Sequence, residues 1–455
     1  MPPSPPDLPG AQTTDSPIDR ALTLLLADEA EAALRWSAAV VERDASIASA
    51  LVITCRLLEQ MGRPEAAIEG FDLAVRRAID AGNLPLAVAA VGDLRALGVD
   101  VGAHLEQVAS AFCLGSQRIQ ENESPPPPLP HFEAFQPLSS FLTGPALTSK
   151  ATQILHAATR DYDEAAGTEL PLSAPVPLFS ALSKQALRDL MGVFEMVTVP
   201  AGARIITEGE EGAEAYIVAR GELEVTRSRD NDDEDGRSPV VLARLVSGAL
   251  FGEMALLSRA PRAASVTATR PSILLVAKRD ALEKVAERQP EVAVQLAAHC
   301  RRRMVANLGR ISPVLVAVPP SERATLVERF ETRVFEKGDR LVTEGQDARG
   351  LHLVASGEVA VVAHEGGESV VLATLKAGET VGEVALVLRR KANADVIALH
   401  PTVTLFLPRE EFLALVVDHP TILQGLYLTA VRRDDETTLS LDSAPASIAD
   451  DYVLL

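Results

Sequence analysis

The second half of this chain repeats a set of glycines at one spacing. Gly202, Gly209 and Gly221 reappear 136 positions on as Gly338, Gly345 and Gly357. Gly248 and Gly252 reappear 130 positions on as Gly378 and Gly382. The offset drops by six where residues 228–237, which hold five acids, give way to the shorter turn at 364–367. Turn glycines between short β-branched runs set tight reversals at fixed intervals, the signature of an antiparallel barrel or jelly roll. Two tandem copies of one such fold are therefore expected, at 177–312 and 313–433. The first opens on an amphipathic lead-in of Leu178, Phe179, Leu182, Leu187 and Leu190 and closes on helices over 279–312. The second closes on helices from Arg409 to about Arg433.

Upstream the pattern changes. Residues 1–16 are rich in Pro, Ser, Thr and Asp and read as disordered. Residues 17–115 are Ala- and Leu-rich with helical periodicity. Leu51, Thr54, Cys55 and Leu58 share one helical face, Gly62-Arg63-Pro64 breaks the helix, and Ala67, Phe71 and Ala74 line the next. Shifted back by 35, that second set becomes Ala32, Trp36 and Ala39, and shifted on by 36, Gly62 and Ala67 become Gly98 and Ala103. Paired helices at a period near 35 resemble tetratricopeptide repeats. Leu51 stands where that family usually has Trp, and Gln107 where the third large residue belongs. The head is thus either a platform for peptides or oligomers, or a plain helical bundle packed on the next domain. Residues 116–176 read as a linker in which Pro125–Pro128 and Pro130 favour extended geometry, interrupted by a short helix near 149–163. An acidic, flexible tail is expected over 434–455.

Charge narrows the function. The 455 residues carry a formal net charge of −20, which repels nucleic acid and anionic membrane unless a basic patch is concentrated somewhere. The clusters Arg301-Arg302-Arg303 and Arg389-Arg390-Lys391 are short. Cys55, Cys113 and Cys300 lie singly in apolar surroundings, without metal-ligand or disulfide spacing. No apolar run approaches the ~18 residues that span a bilayer, and no secretory signal pattern begins the chain. A cytoplasmic protein is expected. No nucleophile–base pair stands out, His299, His352, His364 and His400 being isolated, so no enzyme and no metal site is expected.

One stretch carries chemistry: Phe251-Gly-Glu-Met-Ala-Leu-Leu-Ser-Arg-Ala-Pro-Arg-Ala-Ala-Ser-Val266. Gly252 lets backbone approach a ligand closely. Glu253 can accept from a hydroxyl. Met254–Ser258 can form one helical turn whose free N–H groups favour an anion. Arg262 offers a planar fork of donors to phosphate oxygens. Ala255, Ala263 and Ala264 are small enough for amides to reach that anion. A phosphate, a ribose hydroxyl and a tight fit are what a cyclic nucleotide needs.

The pattern Phe-Gly-Glu-x-Ala-Leu, a spacer, then Pro-Arg-Ala-Ala-Ser closely resembles the phosphate-binding cassette of cyclic-nucleotide-binding domains. Protein kinase A regulatory subunits and bacterial catabolite activators carry such cassettes. The run Ala-Gly-x-x-Ile-Ile, Glu-Gly-x-x-Gly, Tyr-Ile-Val-x-x-Gly-Glu resembles the same fold. The resemblance implies an α+β multidomain chain: a TPR-like helical repeat region, then two tandem jelly-roll cyclic-nucleotide-binding domains with flanking helices. It implies ligand contacts from Phe251, Gly252, Glu253, Met254, Ala255, Arg262, Ala263, Ala264 and Ser265. Cassettes selective for cGMP often carry Thr after the phosphate arginine. Ala263 stands there, so the ligand implied is cAMP, with cGMP possible.

The second cassette reads Val381-Gly-Glu-Val-Ala-Leu-Val-Leu-Arg-Arg-Lys-Ala-Asn-Ala-Asp-Val396. Gly382, Glu383 and Ala385 persist, but Ala392 replaces the arginine and Asp395 the serine. Both changes disfavour an anion. The second barrel is read as nucleotide-free, unless Arg389, Arg390 or Lys391 swings in as the cation. No helix-turn-helix follows either barrel, and no Arg-Arg-x-Ser or Arg-Arg-x-Ala inhibitor sequence lies in the N-terminal linker. Neither a transcription factor nor a kinase regulatory subunit is therefore expected. The expectation is a cyclic-nucleotide receptor acting through protein contacts. The alternatives are a scaffold that binds no nucleotide and, more weakly, a transcription regulator.

Overall fold

The computed structural model describes residues 16–120, 135–165, 171–228, 239–257, 261–309, 312–316, 318–319, 322–323, 326, 328–365, 368–420, 422–423, 426–427, 430–431 and 433. The expectations for the N-terminal stretch, the proline run, the acidic loop and the tail fall outside these residues, apart from Ser16 and Ser228. The chain divides into two compact units. One comprises Met1–Ile205, Tyr216–Phe251 and Ser265–Val292; the other comprises Ile206–Ala215, Gly252–Ala264 and Ala293–Leu455. The division passes through the first copy of the repeat.

The first unit begins with six helices: α1 (Pro17–Leu26), α2 (Ala30–Arg43), α3 (Ala48–Gln60), α4 (Pro64–Asp80), α5 (Leu84–Ala96) and α6 (Gly102–Phe112). Consecutive helices pack as hairpins. Pro17, Pro64 and Pro85 sit in first turns, where a missing N–H costs nothing. Leu51, Cys55, Leu58, Ala67, Phe71 and Ala74 are fully buried, so the central hairpin interlocks on the face read from the sequence. The first copy of that pattern differs. Trp36 is only half-buried and stacks on Phe135, ring centroids 5.9 Å apart, because the chain beyond the head folds back over it.

That return is a 22-residue helix, α7 (Gly144–Ala165), longer than the short helix expected at 149–163. It packs on α2, α3 and α4 through a stripe of Leu147, Ala151, Ile154, Leu155 and Ala158. Gly70 makes the approach possible, since a Cβ there would stand 2.9 Å from Leu155 Cδ1 and still closer to Cys55 Sγ. Polar links rim the contact. Glu31 Oε1 accepts from the Gly144 N–H at 2.8 Å, and Arg76 pairs with Asp163 at 2.6 Å.

The strands of the first repeat are β1 (Glu195–Val199), β2 (Arg204–Ile206), β3 (Glu214–Arg220), β4 (Glu222–Arg227), β5 (Val240–Val246), β6 (Leu250–Phe251), β7 (Ser265–Ala268) and β8 (Ser272–Lys278). They form two four-stranded sheets, β1-β8-β3-β6 and β2-β7-β4-β5. Helix α8 (Lys184–Met191) leads in with Leu187 and Leu190 buried. The helical head docks on this barrel through polar contacts. Asp19, 3% exposed, pairs with both Arg220 and Arg270. Asn83 donates to the Ala219 carbonyl at 3.3 Å, and Arg95 to the Gly192 carbonyl at 3.0 Å.

The second unit holds α9 (Met254–Leu257) and most of α11 (Pro290–Leu308), which follows α10 (Arg279–Arg288); α12 (Pro313–Val316) comes next. Then come β9 (Glu331–Phe335), β10 (Arg340–Val342), β11 (Gly350–Ser356), β12 (Val359–Glu365), β13 (Glu368–Leu375), β14 (Thr380–Val381), α13 (Glu383–Val387), β15 (Asp395–Ala398), β16 (Thr402–Pro408) and α14 (Arg409–Asp418). The sheets are β14-β11-β16-β9 and β10-β15-β12-β13. Each strand takes the place of the one eight before it, so the glycine repeat is a repeat of topology. One core joins Cys300, Met304 and Leu308 of α11 to Leu351, Leu353, Leu405 and Phe412.

Candidate functional site

The first cassette starts where β6 pairs with β3. Phe251 lies opposite Tyr216, and their rings stack with centroids 5.2 Å apart. The chain then turns at Gly252, whose φ of +72° few side-chain-bearing residues adopt. The short helix Met254–Leu257 follows. Its first amides bond locally: Ala255 N–H donates to the Gly252 carbonyl at 3.2 Å and Leu256 N–H to that of Glu253 at 3.0 Å. Ser258 lies outside the described residues. Ala263 is exposed and Ala264 half-buried; Ser265 is buried at the start of β7.

Arg262 is the centre of the arrangement. Its side chain is 8% exposed. Nη1 donates to the Gly252 carbonyl and Nη2 to the Glu214 carbonyl, both at 2.9 Å. Nη2 also lies 3.5 Å from Glu214 Oε2. Its backbone is pinned, the Arg262 N–H bonding the Glu210 carbonyl and the Gly209 N–H bonding the Arg262 carbonyl, both at 2.9 Å. Gly212 lies against the guanidinium, where an added Cβ would come within 2.3 Å of Nη2. A charged fork is thus oriented in advance by backbone carbonyls, which an oxyanion can join or replace as acceptor.

Glu253 is 4% exposed. Burial raises its carboxyl above the usual range, while Arg303 and Arg262 pull it down. Arg303 Nε, from α11, stands 3.5 Å from Glu253 Oε1. A buried carboxylate held by one cation retains lone pairs for a hydroxyl.

The second cassette keeps this backbone and loses the cation. Gly382 turns at φ +91° into α13. Ala392 N–H donates to the Gln346 carbonyl at 2.9 Å and Gly345 N–H to the Ala392 carbonyl at 2.8 Å, as around Arg262. Glu383, 1% exposed, accepts from Arg433. Burial raises its carboxyl too, against Arg433. Asp395, 2% exposed, is fixed inward. It accepts from the Glu344 N–H at 2.7 Å, lies 3.1 Å from His364 Nε2 and pairs with Arg340 at 3.4 Å. Burial pushes its carboxyl up, but these partners outweigh it and hold it below the usual range. Arg389, Arg390 and Lys391 are all exposed.

Sequence reading gave no site role to four residues here: Gly212, Glu214, Arg303 and Arg433. The repeat itself carried a signal for the last two, because the 130-residue offset that relates Glu253 to Glu383 also relates Arg303 to Arg433.

The same two-sheet fold with its cassette is thus present twice in the chain. Residues 196–289 and 332–419 match the sequence profile of the cyclic nucleotide-binding domain family, so the chain carries two domains of that family. It is similar to the cAMP-dependent protein kinase regulatory subunit of Yarrowia lipolytica, 33% identical over 53% of this chain and 60% of that protein. It is also similar to the subunit of the same name from Hypocrea atroviridis, 32% identical over 49% of this chain and 46% of that one. The chain spans about half the length of the curated relatives it matches. The regulatory domain of Toxoplasma gondii PKA, solved with cAMP, is 26% identical over 56% of this chain and 92% of that one, with a TM-score of 0.28. Among the described residues no helix is long and apolar enough to cross a membrane.

Proposed function

We propose that this chain is a receptor for a cyclic nucleotide, cAMP, which binds in the first domain and whose binding is passed to a protein partner. The observation that carries the reading is the buried Arg262 fork on the Gly252 and Glu214 carbonyls, on the same short cassette as the buried Glu253 carboxylate. Arg262 takes the cyclic phosphate and Glu253 the ribose 2′-hydroxyl. Gly252, Met254, Ala255, Ala263, Ala264 and Ser265 shape the cassette around them, and Phe251 anchors it. The relatives' names, cAMP-dependent protein kinase regulatory subunits, support cAMP and make a protein kinase catalytic subunit the first partner to test. The sequence expectation against a kinase partner rested on a missing inhibitor motif in this stretch of chain, and the relatives weigh more. In this reading the protein acts by binding rather than catalysis, inside the cytoplasm. Cyclic GMP is the competing ligand.

The experiment is calorimetry of the whole chain with cAMP and with cGMP, followed by a kinase activity assay in which the chain is added with and without cAMP. Heat from cAMP with saturation, and cAMP-reversed inhibition, are the expected results. Absence of binding by either nucleotide overturns the receptor reading.

One observation favours a scaffold role for the second domain. Asp395 is not merely present in the cassette but built into it by three partners that engage both of its carboxylate oxygens.

A further inference from the structure

Gly212 has no positive φ, so its backbone is one that any L-residue adopts. Its lack of a side chain has a different cause. A Cβ at 212 would fall 2.3 Å from Arg262 Nη2, 2.5 Å from Nε and 2.6 Å from Cζ. The guanidinium therefore occupies the volume that any side chain at 212 would fill. In the second domain the corresponding pair is Ala348 and Ala392, by the same two offsets of 136 and 130. Ala348 is 8% exposed and belongs to the core cluster that holds Ala385 and Leu386. Its methyl is thus fixed by packing. The backbone bonds that tie the two loops together are the same in both domains, so a methyl at 348 stands where the fork of an arginine at 392 would have to lie.

We propose that Gly212 is a specificity-determining residue of the first domain, the one that admits a phosphate-binding arginine, and that Ala348 closes the second domain to such an arginine. The loss of phosphate binding in the second domain is then a matched pair of changes, and reversing Ala392 alone does not repair it. The inference rests on the cAMP reading of the first site, but its steric half stands without a ligand.

The guanidinium is the far end of a flexible side chain, so Gly212→Ala lets the protein fold and pushes the fork off the Gly252 and Glu214 carbonyls. Two measurements separate the claims. In the first, thermal unfolding of ligand-free protein is followed for wild type, Gly212→Ala, Arg262→Ala and the double variant. Gly212→Ala is expected to lower Tm in the wild-type background. In the Arg262→Ala background it should leave Tm unchanged or raise it, because alanine restricts the unfolded chain. Equal shifts in both backgrounds overturn the steric pairing, and failure of both alanine variants to fold overturns it too. In the second, cAMP affinity of the whole chain should fall roughly thirtyfold or more with Gly212→Ala, as for loss of one member of a buried charged hydrogen-bond pair. Undiminished affinity overturns the specificity role. If wild type binds no cAMP, the receptor reading fails while the Tm cycle still decides the steric one. The second domain gives the converse test, made in the Arg262→Ala background so that only a new site can report. Ala392→Arg with Asp395→Ser is expected to bind no cAMP, and the same pair with Ala348→Gly is expected to bind one equivalent. Binding by the pair without Ala348→Gly overturns the role of Ala348.

Discussion

Arg303 Nε stands 3.5 Å from Glu253 Oε1, and the arginine lies on the helix that closes the first repeat. The carboxylate assigned to a ribose hydroxyl is therefore already tied to α11. In the proposed reading a ribose hydroxyl arriving at Glu253 would share that carboxylate with Arg303, which would couple ligand to helix through one side chain. The second repeat has the same tie, Arg433 to Glu383.

Arg262→Ala should weaken cAMP binding by roughly 2–5 kcal/mol, the cost of removing one partner of a buried charged pair. Calorimetry on folded Arg262→Ala protein measures it. Unchanged affinity would place the phosphate elsewhere.

A 2′-deoxy analogue of cAMP should bind wild type more weakly than cAMP, and the gap should close in Glu253→Gln. Arg303→Ala should also alter the gap, because burial then raises the Glu253 carboxyl further without its first counter-charge. Equal affinities for the two nucleotides in wild type contradict the assignment of Glu253.

The whole chain should bind one nucleotide, not two. Asp395 is held ionised by the Glu344 N–H, His364 and Arg340, and a like charge at 4 Å costs about 1 kcal/mol even in water. Neutralising Arg389, Arg390 and Lys391 together should leave the stoichiometry at one. A stoichiometry of two that this triple change reduces to one would identify those cations as the second phosphate ligand.

His352 stays neutral in the folded second domain. Burial, then Arg333, lowers its imidazole to about 3, and His299 is lowered to about 4 by burial, Arg303 and Arg302. Unfolded histidine titrates near 6.5. Between about pH 3 and 6.5 the unfolded chain therefore binds more protons, and stability falls as pH drops through that window. His352→Gln should flatten the fall, measured by urea midpoints from about pH 4.5 to 7. An unchanged slope would show that His352 titrates normally.

Asp19→Ala should destabilise the first unit by about 3–5 kcal/mol, because Arg220 is left buried without its carboxylate. Thermal or urea unfolding reads the loss. Asp19→Ala with Arg220→Met should recover part of it; no recovery would assign the loss to something other than the stranded charge.

Much of this was legible from residue spacing. The glycines at 202, 209, 221, 248 and 252 recur because each takes a positive φ at a turn that the fold repeats. The cassette was legible because its residues are contiguous. Gly212 and Glu214 were not, because they meet Arg262 only once β3 folds back beside the cassette, and a carbonyl acceptor leaves no trace in residue type. Trp36 misled for a related reason: periodicity assigned it to the hairpin core, but the segment that precedes α7 supplied Phe135 as its neighbour.

The length and placement of α7 bear on what the helical head can do. An array of bare hairpins offers one face to a peptide from outside. Here the face made by α2, α3 and α4 is already occupied by the chain's own Leu147, Ala151 and Leu155, with Leu155 seated against Gly70. The head is a receptacle filled from within. A visiting helix would compete with a tethered one at high local concentration, so a partner of ordinary affinity must use another surface.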